Sequence, residues 1–300
     1  MEIITLPSAP GPDAAVALGF FDGCHLGHQA LLARTVAVAA AQGICPAVFT
    51  FTDGAGKDVP LLTDWEERLA RFEAAGVVRV YCAPFAALRE MPPDAFVSHV
   101  LLGMCGARAA FCGESFRYGR GGAGDVDSLS AALAAAGAQL EVVPTVTLDG
   151  QTVSSSALRA AVAAGDMDAA RRMLGRPYAL SGRVQSGKHL GRTLGAPTAN
   201  LWFPPGVLSP RHGVYRTETE TADGTCYASV TNVGLRPTVE RSTQVNAETT
   251  LLGYRGDLYG APITVRFAAF LREERKFASV EELQAQIQSD MEEVRMYHGE

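Results

Sequence analysis

The sequence predicts two domains: an α/β domain on a parallel sheet, then a small antiparallel β-barrel with a helix at its end. From residue 14 to about 173, short apolar runs alternate with helical patterns, which favours parallel strands covered by helices on both faces. After LGRPY (174–178) the hydrophobic period changes from that of a helix to alternation, and turn residues become frequent. At 300 residues the chain is long enough for two cores, since single domains run to ~100–200 residues.

The elements follow in order. AAVALGFF (14–21) reads as a buried strand, followed by a helix to Gln42 with Leu32, Val36 and Ala39 on its apolar face and Gly43 as its stop. Strands are predicted at 44–51, 77–82, 107–112 and 139–146, and helices near 64–74, 94–103 and 127–136. Ser154 or Ser155 can cap a helix carrying Leu158, Ala161 and Val162 up to Gly165, and Asp166 can cap the next one, up to Gly175. Ile263, Val265 and Phe267 alternate with Thr264 and Arg266 as in a half-buried antiparallel strand, so 179–272 read as a barrel or sandwich. Ser279 opens a terminal helix to about Arg295, with Glu281 and Glu282 in its first turn. The boundary falls near 174–182.

Composition removes whole classes of function. A hydrophobic share of 47% excludes a disordered chain. The net charge of −6 opposes nucleic acid while leaving room for a small anion held by local donors. The six cysteines contain no CxxC pair, so they read as reduced and mostly packed. No basic leader precedes an apolar run, and no stretch reaches the ~18–20 apolar residues that span a bilayer. The expectation is a cytoplasmic protein without a membrane partner.

The first chemical motif is Leu18-Gly19-Phe20-Phe21-Asp22-Gly23-Cys24-His25-Leu26-Gly27-His28, where the first strand hands over to its helix. That is the usual ligand position of a parallel sheet. Gly23 and Gly27 let backbone approach a phosphate, the helix start offers N–H groups, and His25 and His28 share one face. The pair by itself also fits capping or solvated histidines; the glycines and the preceding strand shift the reading to an anion site. Val153-Ser154-Ser155-Ser156-Ala157-Leu158-Arg159 sets hydroxyls at a helix start with an arginine one turn on, suited either to nucleotide phosphates or to a plain N-cap.

Gly19 to His28 resembles the GxFDGxHxGH signature of the nucleotidyltransferase superfamily. Val153 to Arg159 resembles the SSTxIR element of bifunctional riboflavin kinase/FMN adenylyltransferases. The resemblance implies a Rossmann-like fold of the HxGH type, with Gly19, Phe20, Asp22, Gly23, Gly27, Ser155, Ser156 and Arg159 binding nucleotide. It also implies that His25 and His28 act on the α-phosphate of ATP as FMN is converted to FAD and pyrophosphate. Two positions depart from the family pattern: Phe51-Thr52-Asp53-Gly54-Ala55 lacks the PxP turn, and Ser115 stands where an Asp or Asn is usual.

In the second half, Gly182-Arg183-Val184-Gln185-Ser186-Gly187-Lys188-His189 begins like a Walker A loop, but His189 replaces its Ser/Thr, and the glycines and proline that follow cannot open a helix. A flexible loop with Lys188 and Arg192 remains. Thr198 and Asn200 lie two apart on an extended segment, hence on one side, where they can share Mg²⁺ with ATP phosphates; a β-turn accounts for the same residues. Glu248 lies on a predicted strand and is either an exposed glutamate or a base for an alcohol attacking the γ-phosphate.

LGRPY (174–178), G-x-V-x-x-G (182–187), GR-x-LG-x-PTAN (191–200), GVY (213–215), NVGLRPTV (232–239), AETTLL (247–252), DLYG (257–260) and LREERKF (271–277) together resemble a riboflavin kinase domain. By that resemblance Thr198 and Asn200 hold ATP·Mg²⁺, the loop of Gly187, Lys188 and Arg192 covers phosphates, and Glu248 is the base for the ribityl 5′-hydroxyl. Thr250 and Gly253 depart from the His and Asp often found there.

The expectation is an FMN adenylyltransferase-like domain over 1–176 and a riboflavin kinase domain over 177–300. Its substrates are riboflavin, FMN and ATP, its metal is Mg²⁺, it has no nucleic-acid partner, and it is a monomer or weak homo-oligomer. Three alternatives stand beside this reading. One is a riboflavin kinase with an impaired first domain. The second is a non-catalytic flavin-binding module. The third is a tRNA synthetase, which lacks both a KMSKS-like loop and a basic region here. His99 reads as packed or solvated, and Arg171 and Arg172 as a solvated face. His189 can add a donor to its loop, while His212 and His298 receive no role.

Overall fold

The computed structural model describes residues 1–56, 59–185, 198–237 and 243–298. They form two compact units, Met1–Ser155 and Ser156–Glu300.

The first unit runs β1 (Glu2–Thr5), β2 (Ala14–Leu18), α1 (Leu26–Gln42), β3 (Cys45–Phe51), α2 (Trp65–Ala74), β4 (Arg79–Ala83), α3 (Phe85–Leu88) and α4 (Pro93–Ala95). Then come a π-helical stretch Phe96–Met104, β5 (Ala107–Gly113), a short 3-10 turn, α5 (Val126–Ala135), β6 (Gln139–Val143) and the hairpin β7 (Thr147–Leu148) and β8 (Gln151–Thr152). The six strands β1 to β6 lie in the order β1-β4-β3-β2-β5-β6 and every pairing is parallel. Order reverses at β2, which has β3 on one side and β5 on the other, so the chain leaving β2 emerges at the switch point where such sheets bind ligands.

β2 is buried on both faces, which is why AAVAL reads as an unbroken apolar run. Val16 and Leu18 join a core with Phe49, Phe96, Leu101, Leu129 and Leu133. On the opposite face Ala15 and Ala17 join Phe21, Leu31, Leu32 and Phe72. Gly43 ends α1 in the left-handed conformation, and Asp64 and Asp125 cap α2 and α5.

Several expected boundaries move, each for a local reason. The strand expected over 14–21 stops at Leu18 because Phe21 already has φ +58° in the turn that follows. That expected over 139–146 stops at Val143, since Pro144 has no N–H to offer a ladder. The helix expected near 94–103 is α-helical only over Pro93–Ala95 and then widens to a π-helix. Its buried Phe96, Val97, Val100 and Leu101 share one face in either geometry. β1 has no periodic signal because it is an edge strand with Ile3 exposed.

The second unit takes up α6 (Ser155–Ala164) from Ser156 onward, then α7 (Met167–Leu174), β9 (Tyr178–Arg183), β10 (Thr198–Trp202), β11 (Gly213–Glu220), β12 (Cys226–Pro237), β13 (Thr243–Leu251), β14 (Pro262–Arg272) and α8 (Val280–His298). α7 packs on β9 and β14, so the helices of 156–174 belong by packing with the barrel. The sheet order is β10-β13-β12-β11-β14-β9, all antiparallel. The backbone bridge Gln185–Asn200 draws its two edges together, giving a nearly closed barrel. Ile263, Val265 and Phe267 point inward as expected.

The outer face of β12 is covered by α8, whose Met291 and Val294 pack with Ala228 and Val230 and with Leu252 just past the end of β13. A two-pronged pair from Arg272 to the buried Asp290, at 3.0 and 2.7 Å, fastens that helix.

Inside the barrel, Thr217, Thr219, Ser229, Thr231 and Thr249 are all fully buried and joined by hydroxyl bonds of 2.7–2.9 Å. Thr217 is the hub, touching Ser229 and Thr231 as well as the Ser229 carbonyl. Thr217→Val keeps the shape and strands its partners, so denaturant unfolding should show a loss of about 1–3 kcal/mol. An unchanged midpoint would mean that the network contributes nothing.

Candidate functional site

In the first unit, the turn after β2 is shaped by Phe21, Gly23 and Cys24, all with positive φ. Glycine suits the middle position, where φ is +80°. Asp22 lies buried beneath the turn: one carboxylate oxygen accepts from the N–H of Leu62 at 2.8 Å and of Thr63 at 3.3 Å. The Gly23 N–H donates to Thr63 Oγ1, and Ser155 Oγ donates to the Asp22 carbonyl at 3.0 Å. Three segments far apart in sequence therefore meet at Asp22 and Gly23.

His25 is the N-cap of α1: its Nδ1 accepts from the His28 N–H at 3.4 Å, and the two rings stack 3.7 Å apart. Burial pushes the His25 imidazole down from 6.5 to about 4, so at neutral pH the ring is uncharged. With Nδ1 as acceptor, the proton of the neutral ring is on Nε2. A Cβ at Gly27 would stand 3.2 Å from the His25 ring, so the glycine keeps that ring seated as well as opening the helix start. Here the helix N-terminus and an Nε2 donor offer hydrogen bonds to an anion.

The remaining expected residues of this motif are placed as follows. Gly19 N–H extends the ladder to Phe49 O at 3.3 Å, and Phe20 O accepts from Thr50 Oγ1 at 3.2 Å and from Arg68 Nη1 at 3.1 Å. Ser156 is exposed and Arg159 half-buried, one turn along α6. The Asp53 carboxylate is taken up by the N–H groups of Ala55 and Phe85, closing a turn, and Ser115 is exposed. Arg68 escaped sequence reasoning. In EERLARF it looks like one charge on an amphipathic helix, yet it is among the largest fully buried side chains.

In the second unit, Thr198, Asn200 and Glu248 converge. Register sets Asn200 on β10 opposite Glu248 on β13, and Glu248 opposite Asn232 on β12, forming one row across three strands. Thr198 Oγ1 donates to Glu248 Oε1 at 2.9 Å. Asn246 Nδ2 donates to Asn200 Oδ1 at 3.2 Å, and both asparagines are buried. Asn232 Nδ2 donates to Glu274 Oε1 at 3.0 Å. Asn232, Asn246 and Glu274 were not expected as site residues; the first two are polar at strand positions in phase with Glu248, the one signal that points to them.

This donor set consists of a hydroxyl, an amide oxygen and a carboxylate, the hard oxygens that Mg²⁺ prefers. Among the described residues no group of three His, Cys, Asp or Glu side chains could hold a metal by itself. Gly187, Lys188 and Arg192 lie outside the described residues.

Comparison with known proteins follows the same division. A family model described as FAD synthetase matches residues 9–157, and one described as Riboflavin kinase matches 174–298. The bifunctional riboflavin kinase/FMN adenylyltransferase of Pseudomonas fluorescens is 38% identical over 93% of this chain and 91% of its own length. Those of Bacillus subtilis and Escherichia coli K12 are 32% and 34% identical over 95% and 99% of this chain, and 92% and 96% of theirs. A crystal structure named as a macrolide-efflux protein from Streptococcus pneumoniae matches with a TM-score of 0.87 at 25% identity, covering 98% of this chain and 99% of that one. No helix among the described residues is long and apolar enough to cross a membrane. With the two family models matching 9–157 and 174–298 and relatives alike along nearly their whole length, the chain belongs to the bifunctional riboflavin kinase/FMN adenylyltransferase family.

Proposed function

We propose that residues 177–300 phosphorylate riboflavin to FMN and residues 1–176 adenylylate FMN to FAD, each reaction using ATP. The observation that carries the reading is the hydrogen bond from Thr198 to Glu248 within the row Asn200–Glu248–Asn232. Relatives named for both activities match along nearly their whole length, which supports the full pair of reactions over an impaired first domain or a flavin-binding module.

In the kinase reaction Glu248 takes the proton of the ribityl 5′-hydroxyl as that oxygen attacks the γ-phosphate and ADP leaves. Thr198 directs its hydroxyl hydrogen to Glu248, which orients the carboxylate and leaves the Thr198 lone pairs for a cation. Asn200 Oδ1, held by Asn246, supplies the second oxygen. Mg²⁺ bound to ATP would neutralise phosphate charge there. In the adenylyltransferase reaction a phosphate oxygen of FMN attacks the α-phosphorus of ATP and pyrophosphate leaves. His25, neutral with its proton on Nε2, donates to the α-phosphate oxygens as charge builds, and the start of α1 adds backbone donors. His28 stacks on it, and Ser155, Ser156 and Arg159 bind the departing phosphates. Asp22 shapes the turn through Leu62 and Thr63. The free cysteines support a reducing, cytoplasmic setting, with the protein a monomer or weak homo-oligomer.

Purified protein with riboflavin and ATP-Mg²⁺ should yield FMN and then FAD on chromatography. Glu248→Gln should cut FMN formation by about 10²–10⁴-fold while leaving FMN-to-FAD conversion intact. His25→Ala should do the reverse. A Glu248→Gln enzyme that still makes FMN at the wild-type rate would remove the assigned base.

The histidine also sets a pH dependence. The unfolded chain protonates His25 near pH 6.5, whereas the folded protein keeps it neutral to about 4. The stability it contributes is complete above 6.5 and is lost as pH falls from 6.5 toward 4. Its imidazole NMR signal should titrate near 4, and a midpoint near 6.5 would contradict the burial described.

A further inference from the structure

We propose that Arg68 is the positioning residue of the adenylyltransferase site, a buried fork that ties the histidine turn after β2 to the end of β3. The proposal rests on the adenylyltransferase reading of the first unit.

Arg68 is 1% exposed. Its Nη1 donates to Phe20 O at 3.1 Å and to Phe51 O at 3.0 Å, and its Nη2 to Thr52 O at 3.4 Å. Phe20 stands inside the histidine motif, while Phe51 ends β3 and Thr52 follows it. One guanidinium therefore spans the outlets of two neighbouring strands, β2 and β3, of which β2 leads to the switch point. Two aromatic rings lie against it, with the guanidinium carbon 4.7 Å from the Phe20 ring centre and 4.9 Å from that of Trp65.

The electrostatics single this residue out. No carboxylate among the described residues pairs with Arg68. The acids around it, Asp22, Asp53 and Asp64, are taken up by backbone N–H groups of Leu62, Phe85 and Glu67. Arg68 Nε is buried with no hydrogen-bond partner among the described residues. Folding thus retains a desolvated cation that a neutral packed residue would replace at lower cost if packing were its whole purpose. Its three acceptors are all carbonyls of the site's own frame, and only a planar fork reaches all three at once.

The test compares Arg68→Met and Arg68→Lys with the wild type in both reactions, FMN to FAD and riboflavin to FMN. Misplacement of a reacting group by about 1 Å costs on the order of 10²-fold. Both variants should therefore lose at least ~10-fold in kcat for FAD formation, with KM for ATP nearly unchanged and FMN formation intact. The His25 NMR midpoint should rise from about 4 as the turn loosens. A residue that only stabilises the fold would lower the fraction of active molecules without moving that midpoint.

Trp65 fluorescence and amide NMR report whether the first unit is folded. If Arg68→Met does not fold, Arg68→Lys decides, since it keeps the charge and gives up the fork. Folded Arg68→Lys with wild-type kcat and midpoint overturns the proposal, and so does an Arg68→Lys that fails to fold, which would make the residue a stabiliser alone. Wild-type protein that forms no FAD would instead overturn the adenylyltransferase reading.

Discussion

A slip of one residue between β10 and β13 would turn Asn200 and Glu248 into the barrel and send Ala199, Ala247 and Thr249 outward. That slip is opposed from both sides of the sheet. Inside, Thr249 is tied into the buried hydroxyl chain and Ala247 and Leu201 are packed. Outside, Thr198 meets Glu248 and Asn200 meets Asn246. The oxygen cluster is thus a by-product of alternation: the residues that make the core and those that make the site are interleaved along the same strands, and each set holds the other in phase. α8 supports the arrangement from the flank, with Arg272 and Asp290 fixing its approach.

The first unit solves a different problem with different means. Under the proposed function an anion is to be met there by groups that carry little charge of their own. The start of α1 supplies backbone donors, and burial keeps His25 neutral, so the ring serves as a hydrogen-bond donor at physiological pH. The strained turn that makes this possible, with positive φ at Phe21, Gly23 and Cys24, is held by the crossing bonds at Asp22, Thr63 and Ser155. Under the proposed function the two units therefore contrast: the oxygens of Thr198, Asn200 and Glu248 would receive a cation in one, and the donors at the start of α1 would meet phosphate in the other.

Much of this was legible in the residue order. The buried run of β2, the stop at Gly43, the cap at Asp166 and the alternation of Ile263, Val265 and Phe267 are local signals, and the structure keeps them. Spacing alone sets His25 with His28 and Thr198 with Asn200 on shared faces, whereas Glu248 was joined to that pair only through the resemblance to a riboflavin kinase domain, since the register that brings it there pairs distant strands. What was hidden depends on partners distant in sequence. Arg68 is an unremarkable charge until β2 and β3 present carbonyls to it. Asn232 and Asn246 acquire meaning only from register. β1 gave no periodicity because an edge strand has only one neighbour to satisfy, and the π-helical turn was invisible because the same four apolar residues fit either helix.

The bridge between Gln185 and Asn200 carries one more implication. Its hydrogen bond runs from the Gln185 N–H to the Asn200 carbonyl at 3.0 Å, on the edge of β10 away from β13. Among the described residues this seam, closed by a single bridge, adjoins the cluster of Thr198, Asn200 and Glu248, while the cluster itself rides on the continuous side of the sheet. Unzipping that seam would widen the wall beside the cluster and leave its internal geometry intact, so access and alignment are mechanically uncoupled.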